Sequence, residues 1–116
     1  MHAEQYREGI SLFNRGEFFE AHEALEDVWR AAPAGEKLFL QGLIQVAVAL
    51  HHHSKGNLVG ARSLLGRAAR NLSQYPDGFG GLQLESLRHS LAQWQHAFAE
   101  GRDLPVSPKL QLSQEL

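Results

Sequence analysis

The chain has 116 residues, a net charge of −2 and no cysteine, which fits one domain and excludes a disulfide scaffold, a thiol nucleophile and cysteine-ligated metals. Leucine and alanine occur 18 and 14 times, against five valines, two isoleucines and no threonine, so the composition favours helices over strands. The slightly acidic balance lacks the charge signature of nucleic-acid or anionic-membrane binding, and we expect neither partner.

Glycine and proline residues divide the chain into segments in which apolar residues recur at spacings of three and four. This spacing predicts an all-α fold. We expect a compact bundle of about five helices arranged as stacked helical hairpins, with an extended C-terminal tail. Gly16 and Gly56 are expected to end the first and third helices, and Asn57 to cap the fourth. The predicted helices cover about residues 3–15, 17–32, 36–55, 57–75 and 83–100.

The bundle is assigned to residues 1–103 and the tail to residues 104–116. Pro105 and Pro108 prevent a continuous helix in the tail, which either lies across the bundle as an extended strap or frays from it. The pattern Gly-x-Phe-x-x-Ala, which begins at Gly16, is matched 40 residues later by Gly-x-Leu-x-x-Ala, which begins at Gly56. This similarity indicates either two repeated hairpins or a chance likeness between amphipathic helices.

The most apolar run, residues 38–50, is interrupted by Gln41 and Gln45. It is shorter than the roughly 20 residues that a membrane span needs, and it therefore predicts a buried central helix. The N-terminus has no basic region followed by an apolar stretch, so no secretory signal is expected and the cytoplasm is the expected compartment.

The apolar faces of the helices predict how they pack. Helices 2 and 3 are joined by a short turn and are expected to pack antiparallel around Trp29, Leu43 and Val46. Leu65 and Trp94 stand at the centres of the apolar stripes of helices 4 and 5, and both are expected to be buried.

The candidate functional residues lie on helices 2 and 3. His22 and Glu26 stand four residues apart on the flank of the core face of helix 2. Gln41, Gln45 and His52 share one narrow stripe of helix 3, which must face water or polar partners. We expect the two groups to meet. The candidate polar site consists of His22, Glu23, Glu26, Arg30, Gln41, Gln45 and His52.

Two interpretations of this site stay open. A divalent ion could be held by His22, Glu26 and His52, because a second helix would add the third ligand. Alternatively, Glu26 accepts from His22 and pairs with Arg30 in a purely structural network. Glu26 stands where the zincin motif His-Glu-x-x-His has its second histidine. The sequence requires no cofactor, and we assign no catalytic residue.

Two other clusters are expected to carry no site. The run His51–His53 cannot converge on one ion, because successive helical residues point about 100° apart. Only His52 is therefore included in the candidate site, and the other two histidines are expected to face solvent. Arg62, Arg67 and Arg70 form a basic face of helix 4, which is expected to be solvated.

The segment from Phe13 to Trp29 contains Phe-Asn-x-Gly followed by His-Glu-x-x-Glu-x-x-Trp. With residues 40–47 and 56–61, it resembles a small all-helical bacterial family, family 309 of the domains of unknown function. The resemblance implies a compact helical bundle and brings no reaction, substrate or cofactor. The recurring polar positions of the family correspond to Asn14, Glu20, His22, Glu23, Glu26, Arg30, Gln41, Gln45 and Asn57.

The sequence favours a non-enzymatic protein-interaction or ligand-binding module, because it contains no complete catalytic constellation. The expected partner is another protein or a second copy of the chain. The alternative is a small metal-binding protein or a metal-dependent enzyme that uses the His/Glu site between helices 2 and 3.

Overall fold

The computed structural model describes residues 3–113, which form five α-helices and one turn of 3-10 helix. Of the described residues, 73% are helical. Within the described residues, β pairing is limited to one isolated bridge between Leu82 and Leu112. The predicted all-α class is confirmed. The elements are α1 (Ala3–Asn14), α2 (Phe18–Arg30), α3 (Ala34–Ser54), α4 (Leu58–Leu72), the 3-10 turn (Phe79–Gly81) and α5 (Leu84–Glu100).

α4 ends at Leu72, three residues before its predicted end. Tyr75 precedes Pro76, and a residue before proline is disfavoured in the helical conformation. The Tyr75 ring instead packs against the rings of Phe39 and Phe79, with centroid distances of 5.6 and 4.6 Å. Tyr75 therefore belongs to the connection after α4 and not to the helix itself.

The α1–α2 and α3–α4 hairpins each turn at a glycine. Gly16 and Gly56 have φ angles of 83° and 81°, in the left-handed region that glycine adopts without a steric penalty. A second glycine in each hairpin lets the helices approach closely. A Cβ atom at Gly9 or Gly42 would lie 2.8 or 2.7 Å from a leucine of the partner helix.

The central helix is α3, which packs against both α2 and α4. The ring of Phe19, near the start of α2, lies 5.6 Å from the ring of His51, near the end of α3. This contact confirms that α2 and α3 run antiparallel. Leu43 and Val46 are fully buried between the helices, as predicted. Trp29, by contrast, is only partly buried.

α1 packs against α2, and α5 packs against α4. Leu65 of α4 and Trp94 of α5 lie in the hydrophobic core, as their positions in the apolar stripes predicted. Among the helices of residues 3–113, none is both long enough and apolar enough to cross a bilayer.

Residues 104–113 lie across the bundle as an extended strap. The Asn14 side chain holds the strap at Leu110, because its Nδ2 donates to the Leu110 carbonyl at 2.9 Å and its Oδ1 accepts from the Leu110 N–H at 2.8 Å. The indole Nε1 of Trp94 donates to the Val106 carbonyl at 3.0 Å. The Leu110 side chain is buried in the core. The last three residues of the predicted tail lie outside the described part of the chain.

Candidate functional site

The exposed stripe of α3 forms the floor of a groove between α2 and α4, which we call the α2–α4 groove. The groove encloses about 280 Å³. Apolar side chains make up most of its surface, and carboxylate and amide groups stand among them. Its floor consists of Gln41, Ile44, Gln45 and Val48, and its walls are formed by Glu26 and Trp29 from α2 and by Leu64 from α4.

Three residues of the predicted polar site, Glu26, Gln41 and Gln45, line this groove. The Gln45 Oε1 atom accepts a hydrogen bond of 2.9 Å from the Asn71 Nδ2 atom of α4. Sequence reasoning did not single out Asn71. Its spacing in the sequence could have indicated it, because Asn71 follows Leu64 by seven residues and so lies on the same side of α4 as this groove residue.

His22 lies beside the groove and belongs to a network along α2. Its Nδ1 is 3.0 Å from the Phe19 carbonyl oxygen. A carbonyl only accepts, so Nδ1 carries the proton and donates it. The other ring nitrogen, Nε2, is 3.6 Å from Glu26 Oε2. Glu26 Oε1 is 3.5 Å from Arg30 Nη2, and Arg30 Nη1 is 2.6 Å from Asp27 Oδ1.

The structure does not bring His52 to His22 and Glu26 as a third metal ligand. The Nδ1 atom of His52 instead accepts from Asn57 Nδ2 at 3.3 Å. Within residues 3–113, no three His, Cys, Asp or Glu side chains are grouped so that they could hold a metal ion. The described residues therefore do not form the three-ligand geometry considered for the site. Glu23, the remaining predicted site residue, is exposed on α2.

The other two histidines of the run contact aromatic rings. His51 packs against Phe19, and the ring of His53 lies 5.2 Å from the ring of Trp94. Both histidines, like His52, are partly buried and partly exposed, so the prediction that they face solvent is met only in part. The three neighbouring side chains have three different surroundings because each points about 100° from the next.

Trp29 forms part of the α2 wall and contacts Lys37. The Lys37 ammonium lies 4.3 Å from the centre of the Trp29 ring and donates to the Trp29 carbonyl at 2.6 Å, so a cation–π contact holds the indole in place. The indole Nε1 is buried and has no hydrogen-bond partner among the described residues. An unpaired buried donor costs about 1–3 kcal/mol, which the apolar contacts of the ring must offset.

The arrangement suits recognition of an apolar group. Ile44, Val48 and Leu64 offer aliphatic surface, while Glu26 offers carboxylate oxygens that accept hydrogen bonds from N–H donors. Concave apolar surfaces with a few polar groups are typical of ligand-binding sites.

These features define a small helical bundle with an open groove beside its central helix. A family model described as Domain of unknown function (DUF309) matches residues 6–64, which is about half of the chain and contains every residue that lines the groove. The chain belongs to this family.

The chain is similar to two longer bacterial proteins. It is 35% identical over 92 residues to an uncharacterized protein of Aquifex aeolicus (strain VF5), and the match covers 78% of this chain and 28% of that protein. It is 42% identical over 57 residues to the uncharacterized protein YpuF of Bacillus subtilis (strain 168), over 48% of this chain and 33% of YpuF. The matched region therefore spans about a third or less of either relative's length.

Proposed function

We propose that this chain is a non-enzymatic binding module of the bacterial cytoplasm, which recognises an apolar group flanked by N–H donors. The observation that carries this proposal is the α2–α4 groove. Its aliphatic floor would hold the apolar group, while Glu26 and the side-chain oxygen of Gln41 would accept from the donors.

The size of the groove supports a side-chain-sized occupant. Its volume of about 280 Å³ lies just below the range of about 300–1,000 Å³ that is usual for small-molecule sites. The length of the relatives adds support, because the matched region covers only 28% and 33% of their chains and so is joined there to further sequence.

The metal-dependent alternative has less support from the geometry. His22 and Glu26 would supply two ligands, but the described residues contain no third ligand grouped with them. The contacts of His22 with Phe19 and Glu26 favour the structural-network interpretation instead.

A matched pair of small probes tests the proposed function. N-acetyl-leucinamide carries an aliphatic side chain between two amides, and N-acetylglycinamide carries the same amides without the side chain. At about 0.3 kcal/mol for each of its 12 non-hydrogen atoms, the leucine probe would bind with a Kd of about 2 mM. We expect a titration of isotope-labelled protein, followed by NMR, to shift the Ile44, Gln45 and Val48 amides and the Trp29 indole signal.

Two variants locate the binding site. Val48→Glu places a charge on the half-buried floor of the groove and should abolish the shifts. Val59→Glu is the matched control, because Val59 is 83% exposed and lies on a different side of α4 from Leu64. Equal shifts with the glycine probe, or shifts that survive Val48→Glu, would contradict the proposal.

A further inference from the structure

The exposed residues of α3 repeat at the spacing by which one helix packs against another. Leu38, Gln41, Gln45, Val48 and His52 are separated by three and four residues in alternation, the spacing of a helix–helix seam. All of them retain solvent exposure. From residue 39 to residue 50, the other residues of α3 are buried, except Ile44, which also lines the groove. The central helix thus has one seam that no described element covers.

The length of the seam sets the size of what could cover it. His52 lies fourteen positions after Leu38, so the seam is about 21 Å long at a rise of about 1.5 Å per residue. Exposed apolar side chains stand at both ends: Leu38 is 41% exposed at one end, and Phe19, which contacts His51, is 47% exposed at the other. An elongated partner of about four helical turns would cover this surface.

The helices on the two sides of the groove differ in charge. α2 has four acidic residues and one arginine, whereas α4 has three arginines and no acidic residue, although most of these side chains point away from the groove because successive residues are rotated by about 100°. On the α2 side, Glu26 lines the groove. On the α4 side, Arg67 follows Leu64 by three residues and so stands at the rim. Arg67 is exposed and makes no ion pair with any residue from 3 to 113.

We propose that the α2–α4 groove binds an amphipathic helix of a partner protein, whose apolar ridge packs on the α3 seam. Lysine or arginine residues on one edge of this helix face α2, and aspartate or glutamate residues on the other edge face α4. The proposal rests on the proposed function, since it names the partner of the same groove. A helix with its apolar face in a groove is a recurrent mode of peptide recognition.

The opposite charges of Glu26 and Arg67 also determine the direction of the bound helix. Reversing a helix end to end while its ridge stays in the groove exchanges its two edges. A partner with one basic and one acidic edge therefore fits in one direction only, because the other direction places like charges together.

Three fluorescently labelled helical peptides of about 18 residues, sharing one leucine ridge, test this inference. The first has a lysine edge and a glutamate edge, the second has glutamate on both edges, and the third has lysine on both. In anisotropy titrations at low salt, we expect the mixed peptide to bind about fivefold to tenfold more tightly than either of the others. This preference should diminish as salt screens the charges.

Variants of the full chain provide the controls. Val48→Glu should abolish binding of the mixed peptide and Val59→Glu should not, with circular dichroism confirming that both variants are folded. Arg67→Glu should remove the preference of the mixed peptide over the lysine peptide. A spin label at the peptide N-terminus should broaden NMR signals at one end of α3, and exchanging the lysine and glutamate edges should move the broadening to the other end.

Each contrary result has a distinct meaning. Equal affinities of the three peptides, or binding of the mixed peptide that survives Val48→Glu, would overturn the helix proposal. If N-acetyl-leucinamide binds the groove and no peptide does, the helix proposal fails and the proposed function stands. If neither the leucine probe nor any peptide shifts the groove signals, both fail.

Discussion

Replacing Asn14 by alanine should release the C-terminal strap from the bundle. The Asn14 amide makes two hydrogen bonds to the Leu110 backbone, of 2.9 and 2.8 Å, both partly buried. At a net contribution of about 0.5–1.5 kcal/mol for each bond, their loss should lower the free energy of unfolding by about 1–3 kcal/mol. The alanine side chain reaches neither backbone group, so the Leu110 N–H and carbonyl lose a partner that water only partly replaces.

Urea denaturation followed by circular dichroism measures this loss, which corresponds to a decrease in Tm of roughly 4–12 °C for a domain of this size. Hydrogen exchange locates it, because the Leu110 amide should exchange much faster in Asn14→Ala than in the parent chain. Glu8→Ala, an exposed position on the same helix, is the control and should change stability by less than about 0.5 kcal/mol. An Asn14→Ala variant as stable as this control, with the Leu110 amide still protected from exchange, would refute the role given to the Asn14 side chain.

Three further substitutions probe the core, the tyrosine and the network on α2. Gly42→Ala places a Cβ atom 2.7 Å from Leu72 and should cost about 1–3 kcal/mol in urea denaturation; a neutral result would mean that α3 and α4 separate freely. Burial, with a smaller effect of Glu36, raises the pKa of Tyr6, whose hydroxyl donates to Gly80 at 2.7 Å. The folded state therefore favours the neutral phenol, so stability should fall as pH rises above about 10, where the unfolded chain ionises. Tyr6→Phe should flatten that alkaline decline, and parallel pH profiles of the two proteins would refute the assignment. His22→Ala should cost less than about 1 kcal/mol, since its contact with Glu26 is a partly exposed pair; a Tm that rises with added Zn²⁺ in the parent chain but not in His22→Ala would revive the metal interpretation.

The sequence by itself predicted the number, type and order of the helices. Apolar spacing of three and four is a local property of each segment, and Gly16 and Gly56 mark the turns because left-handed backbone is easiest for glycine. The antiparallel pairing of α2 and α3 followed from the short connection between them. The burial of Leu65 and Trp94 followed from their positions at the centres of apolar stripes.

The sequence also placed Glu26, Gln41 and Gln45 on surfaces that could meet, and the structure brings them to one groove. It did not predict that Trp29 would form a wall of this groove. A tryptophan at the edge of an apolar stripe can be buried or can face a groove, and the choice depends on how far the next helix covers it.

Only the tertiary structure decided which residues complete the site. Whether His51 or His52 faces α2 depends on the rotation of α3 about its own axis, and neighbouring residues differ by about 100°. Packing sets that rotation, since Gly42 must face Leu72 for α3 and α4 to approach. The partner of Gln45 is Asn71, 26 residues away. Local spacing determines which residues share a face of one helix, whereas contacts between helices depend on the packing of the whole core.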